Sequence, residues 1–173
     1  MIKKIEDNIY PKTMTVPTEL HLNDKFYLQQ AVDVALESEQ NGNLPIGAVI
    51  VYGDEVVSRG YNAVKTPVYH PGKHAETEAL RGVPAAYWKD AGNLTCYTSL
   101  EPCLMCCGSL LLHGVGRVVF GAIDPKGGAG YMLDNLPVFY ENRSGVAEWV
   151  GPLMPETCDP LYERAAEMFE RLI

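Results

Sequence analysis

A chain of 173 residues fits one domain and is long enough to bury a core without disulfide staples. Its balance of 47% apolar and 21% charged residues excludes a disordered or low-complexity protein. The net charge of −8 argues against a surface built to grip a nucleic-acid backbone, which usually presents a basic face.

Residues 1–22 carry Pro11 and Pro17 and show no period, so they read as an N-terminal arm on the surface or on a partner subunit. Residues 23–173 read as one domain. Asn23 or Asp24 caps a predicted helix running to about Gln40, with Phe26, Leu28, Ala31, Val32, Ala35 and Leu36 as its apolar face. The run from Ile46 to Val51 has no polar alternation, as expected of a strand covered on both faces. Gly53-Asp54 turns the chain, and Glu55 to Gly60 returns as the second arm of a hairpin. A polar loop leads to His74, and residues from Ala75 to about Arg81 favour helix. Thr95 to Leu100 and Arg117 to Ala122 are further strands, with Pro102 opening a helix between them. Gly145 to Val150 is a possible fifth strand, and Asp159-Pro160 is expected to start a final helix. Helices alternating with short apolar strands imply an α/β sandwich, with helices on both faces of one sheet.

The chemistry concentrates between His74 and Cys107. His74-Ala75-Glu76 is followed by Pro102-Cys103-Leu104-Met105-Cys106. One imidazole and two thiols separated by two residues suit a tetrahedral zinc ion (Zn2+), and three protein ligands leave the fourth position for water, as in a catalytic site. Cys103 and Cys106 are expected on one face of a first helical turn, where the helix N-terminus lowers thiol pKa values. Glu76 stands two residues past His74, placed to move protons as a general acid and base without ligating. A structural site with four protein ligands needs a further donor. Cys107 points about 100° away from Cys106 around a helix, and Pro71-Gly72 separates His70 from His74. The five cysteines, with three clustered, fit metal binding in a reducing compartment better than a disulfide framework, so a cytoplasmic location is expected. Lys3 and Lys4 are not followed by the apolar core of a secretory signal. No apolar run approaches the roughly 18 residues of a membrane span.

These motifs resemble the cytidine and deoxycytidylate deaminase superfamily, from about Asp24 to Asp134. The wording is most similar to tRNA-specific adenosine deaminases and nucleobase (guanine or cytosine) deaminases. It is carried by Leu44-Pro45-Ile46-Gly47-Ala48-Val49, Gly60-Tyr61-Asn62, His74-Ala75-Glu76, Leu100-Glu101-Pro102-Cys103-Leu104-Met105-Cys106 and Arg117-Val118-Val119-Phe120-Gly121-Ala122. The resemblance implies a five-stranded sheet flanked by helices, a catalytic zinc and a homodimer or higher assembly. It also implies that Asn62 hydrogen-bonds the substrate and that the Ala75 backbone N–H helps hold the ring.

Two features separate the chain from the tRNA-acting members. His70-Pro71-Gly72-Lys73 stands where those usually carry Asp-Pro-Thr-Ala. From Gly145 onward there are acids at 148, 156, 159, 163, 167 and 170 against Arg164 and Arg171, where those enzymes typically keep a basic helix. The first expectation is therefore hydrolytic deamination of a free nucleobase, nucleoside or related amino-heterocycle. The second is adenosine-to-inosine editing in tRNA, and a third is a non-catalytic zinc-bearing partner subunit, against which Glu76 argues. Phe169 is the candidate pocket wall on the final helix. The stretch from Cys103 to His113 is apolar nearly all round, which predicts a cover from a second subunit.

Overall fold

The computed structural model describes residues 21–143 and 148–171. Its helices are α1 (Asp24–Gln40), α2 (Ala75–Gly82), α3 (Leu104–His113), α4 (Val138–Arg143) and α5 (Pro155–Glu170). Its strands are β1 (Gly47–Tyr52), β2 (Glu55–Tyr61), β3 (Leu94–Leu100), β4 (Arg117–Ala122) and β5 (Glu148–Val150). Short 3₁₀ segments cover Ala85–Asn93 and Gly130–Asn135. The expected N-terminal arm lies almost wholly outside the described residues, as does the stretch 144–147 that begins the expected fifth strand.

The strands make one sheet in the order β2-β1-β3-β4-β5. β1 runs antiparallel to both neighbours, and β3, β4 and β5 run parallel to one another. Successive side chains of a strand point to opposite faces, and the apolar runs sort accordingly. Ala48, Ile50, Cys96, Val118 and Phe120 join the layer of α2 and α3, whereas Val49, Val51, Tyr97, Val119 and Val150 join that of α1 and α5. The result is a three-layer α/β/α sandwich around a mixed five-stranded sheet.

Gly47 sets how closely α1 can approach. A Cβ there would lie 2.3 Å from the Ala35 nitrogen and 2.4 Å from the Ala31 oxygen. The buried stripe of α1 therefore centres on Leu28, Ala31, Val32 and Ala35, with Tyr27 and Val34 at its edges. Phe26 and Leu36, expected on that face, are exposed at 63% and 39%. Phe26 stands two residues before Leu28, about 200° round the helix.

Two helix starts differ from expectation. α3 begins at Leu104, with Cys103 as its extended N-cap residue and Pro102 outside it. The Cys103 carbonyl accepts the Cys107 N–H at 2.8 Å, so the helical ladder starts there. α5 begins at Pro155 and takes Pro160 into its interior. Pro155 needs no N–H at a first helical position. Pro160 removes one internal donor, and Glu156, whose carbonyl would have received it, is exposed to water.

A buried ion pair closes the far end of the sheet. Arg117 at the start of β4 donates to Asp24 Oδ1 at 2.6 Å and Oδ2 at 2.9 Å. The Tyr97 hydroxyl adds a hydrogen bond to Asp24 Oδ1 at 2.8 Å. Glu148 on β5 accepts from Arg117 Nε at 2.8 Å. Three strands and α1 are thereby tied at the end of β4 opposite the site described next.

Candidate metal centre and pocket

Both halves of the motif stand at helix N-termini. His74 is the N-cap residue of α2 and Cys103 that of α3. The first turn of α2 lies directly on β2 because Gly60 has no side chain. A Cβ there would come within 1.9 Å of the Ala75 oxygen and 2.3 Å of the Ala79 nitrogen. Beyond β3, the chain turns at Glu101-Pro102 and delivers Cys103 and Cys106 to the same point.

His74, Cys103 and Cys106 bring their donor atoms within 4.8 Å of one another. Bond lengths of about 2.3 Å to sulfur and 2.05 Å to nitrogen set the nitrogen and sulfur corners of a zinc tetrahedron roughly 3.6 Å apart. His74 Nδ1 is 3.5 Å from Sγ of both cysteines. The His74 ring also donates to the Pro71 carbonyl, an outer contact of the kind that fixes which nitrogen faces a metal. Cys103 is held down to about 4 by its contact with Cys106, aided by His74, so a thiolate is available. The same contact, with burial, pushes Cys106 up. The donor set and its spacing fit a Zn2+ site.

Glu76 is buried at 3% exposure. Thr98 Oγ1 donates to its Oε1 at 3.0 Å, and Cys106 Sγ lies 3.3 Å from its Oε2. Burial raises the carboxyl above its ordinary range. The carboxyl therefore stands beside the metal ligands with its charged form disfavoured by burial.

A cavity of about 460 Å³ opens over these groups, and its lining includes His74, Glu76, Cys103, Asn62, Glu101 and Phe169. That size is ordinary for a small-molecule site. Asn62 is 1% exposed, and its Oδ1 accepts the Val64 N–H at 3.2 Å. Its Nδ2 is buried without a protein partner among the described residues. A buried donor of this kind costs about 1–3 kcal/mol unless something accepts from it, and Asn62 lines the cavity.

Phe169 joins the wall with Tyr162, Ala165 and Ala166 of α5. Positions 162, 166 and 169 follow helical spacing, so one face of α5 covers the cavity. Ala75 is buried at the base of α2 and does not line the cavity; as the first helical residue its N–H has no intrahelical acceptor. Sequence reasoning missed Tyr69, Asp124, Lys126 and Tyr162 in the lining. The seven-residue spacing of Tyr162 and Phe169 was the available signal for one of them. Cys96, Cys107 and Cys158 are buried free thiols.

Over residues 22–122 the chain matches the cytidine and deoxycytidylate deaminase zinc-binding region. It is 37% identical over 138 residues to a tRNA-specific adenosine deaminase of Bacillus subtilis (strain 168), spanning 78% of this chain and 83% of that protein. It is 38% identical over 100 residues to a cytosine deaminase of Candida albicans, spanning 57% of this chain and 66% of that one. A solved guanine deaminase from Nitrosomonas europaea has the same fold, with a TM-score of 0.62 at 20% identity over 89% of this chain and 90% of that one.

Proposed function

The chain belongs to the cytidine and deoxycytidylate deaminase family, and from that premise we propose that it releases ammonia from a small amino-heterocycle, a free nucleobase or nucleoside. The observation that carries this reading is the helix over the pocket. α5 turns Tyr162, Ala165, Ala166 and Phe169 inward, and the cations near it are already paired. Arg164 holds Glu39 at 2.7 Å, Lys126 holds Glu170 at 3.4 Å, and Arg171 reaches Glu167 at 3.9 Å. Phosphate contacts need free Lys, Arg or backbone donors, and this rim offers acids instead. A neutral ring suits it better than a polyanion.

His74, Cys103 and Cys106 would hold the zinc. When bound, it supplies Lewis acidity that makes water nucleophilic near neutral pH. Glu76 then handles the protons. Its buried carboxylate takes the proton given up by the attacking water and passes it to a ring nitrogen. It then takes the remaining proton from the oxygen added to the ring and hands it to the departing amine, so that the C–N bond breaks, the oxygen stays as a ring carbonyl and the amino group leaves as ammonia. Thr98 holds Oε1 while Oε2 stays turned toward the metal ligands. Asn62 Nδ2 donates to an acceptor on the ring, and Phe169 and Tyr162 close the outer side.

Editing of adenosine in tRNA is the second reading, favoured by the 37% identity to the Bacillus subtilis enzyme. An ammonia-release panel across cytosine, guanine, adenine, their nucleosides and a tRNA anticodon stem-loop separates the two. Self-association and a cytoplasmic location belong to the same proposal. Leu104, Met105 and Leu112 of α3 are exposed at 57%, 41% and 44%, an apolar face that a second copy would cover. The thiols are free, and among the described residues no helix is long and apolar enough to cross a membrane.

A further inference from the structure

We propose that Glu101 is a positioning residue that fixes one wall of the substrate pocket to the turn carrying Cys103. It is 4% exposed, and both carboxylate oxygens are engaged by the loop that follows β4. The Asp124 N–H donates to Oε2 at 3.1 Å, and the Gly130 N–H donates to Oε1 at 3.1 Å. The two bonds span the loop from end to end.

Backbone contacts run alongside. The Ala129 N–H donates to the Pro102 carbonyl at 3.0 Å, and Cys103 forms an isolated bridge with Gly128. Gly128 lies so close that a Cβ there would be 2.2 Å from Glu101 Oε2. Inside the loop, Asp124 Oδ1 accepts the N–H groups of Lys126 at 3.0 Å and Gly127 at 2.9 Å, making a stiff turn. Asp124, Lys126 and Gly127 all line the cavity. Lys126 reaches Glu170 on α5, so the held loop also meets the covering helix. A carboxylate is needed here because two N–H donors converge on it from the two ends of the loop. A glutamine would offer only one acceptor and would aim an NH2 at the other N–H.

Glu101 therefore acts through the wall and not on the reacting atoms. Loosening the wall weakens the substrate's ground state and transition state together, which raises KM and spares kcat. The inference rests on the small-ring reading of the pocket.

Its test uses the full-length zinc-loaded protein, with wild type, Glu101→Gln and Gly128→Ala compared. Hydrogen exchange of residues 124–130 needs no substrate. Zinc is counted by elemental analysis, and kinetics use cytosine, guanine and adenosine. Expected for Glu101→Gln are amide exchange at Asp124 and Gly130 faster by about tenfold or more, a KM raised by about tenfold or more, and kcat within about threefold. Zinc per chain stays unchanged. Gly128→Ala pushes on the same carboxylate and should raise KM likewise. Unchanged exchange in Glu101→Gln overturns the proposal, as does a loss of kcat at constant KM or a loss of zinc. If the wild type turns over none of the small rings, the small-ring reading fails, and the exchange data still decide whether Glu101 holds the loop.

Discussion

Thr98 Oγ1, on the central strand β3, donates to Glu76 Oε1 at 3.0 Å. The carboxylate of a helix-borne residue is thus fixed by the sheet beneath it, with its other oxygen left toward the metal ligands. Thr98→Val keeps the shape and removes the donor. It should lower kcat by about five- to 160-fold, the kinetic equivalent of about 1–3 kcal/mol for one buried hydrogen bond, with zinc retained. Steady-state kinetics with zinc analysis checks this.

Glu76→Gln removes the proposed proton carrier while leaving the His74, Cys103 and Cys106 donors in place. It should retain zinc and fold while losing about 10²–10⁴-fold in kcat. Normal turnover in that variant would place the acid and base elsewhere.

Cys103→Ala and Cys106→Ala each leave two protein donors. Zinc content measured after dialysis should fall well below one per chain in both, and ammonia release should fall with it. Full metal content in either variant would contradict the assigned ligand set.

The motif chemistry was legible because it is local. His74 with Glu76, and Cys103 with Cys106, sit at strand-to-helix junctions where short spacing fixes relative position. The strands were legible because β1 and β4 are buried on both faces and, after Arg117 at the start of β4, read as apolar runs. The pocket wall was harder to read because Tyr69, Asp124 and Tyr162 come from segments far apart in the chain and meet only through packing. The start of α5 was obscured by a second proline signal at 160, which lies inside the helix, where the carbonyl left without a donor belongs to the exposed Glu156. The pairing of Asp24 with Arg117 spans 93 residues, and Asp24 looks like an ordinary capping residue in the sequence.

That pair gives a pH-dependent stability. Burial alone would raise Asp24, but the Arg117 and Tyr97 hydrogen bonds, the Arg117 charge and the His21 N–H bring it below its ordinary 3.8. A carboxyl lowered on folding stabilises fully above its unfolded pKa and loses that contribution as pH falls through the folded value. Asp24→Asn leaves the buried guanidinium with only the half-exposed Glu148 as a charge partner and should cost about 3–5 kcal/mol near neutral pH. Urea titrations should show the gap between wild type and variant shrinking below about pH 4.

Met105 and Leu112 are seven residues apart, two turns along the same exposed face of α3. Replacing both by Glu should shift the protein from dimer to monomer at micromolar concentration in light scattering. A monomeric wild type would contradict the proposed self-association.

The most direct test of the central claim is the ratio of kcat/KM for the best small heterocycle to that for a tRNA anticodon stem-loop, measured at low salt where RNA binding is strongest. The acidic covering helix and its paired cations predict a ratio of at least about tenfold in favour of the small ring, a difference of about 1.4 kcal/mol or more. Tight, steeply salt-dependent binding of the stem-loop with inosine formation, and no faster turnover of any free base or nucleoside, would contradict it.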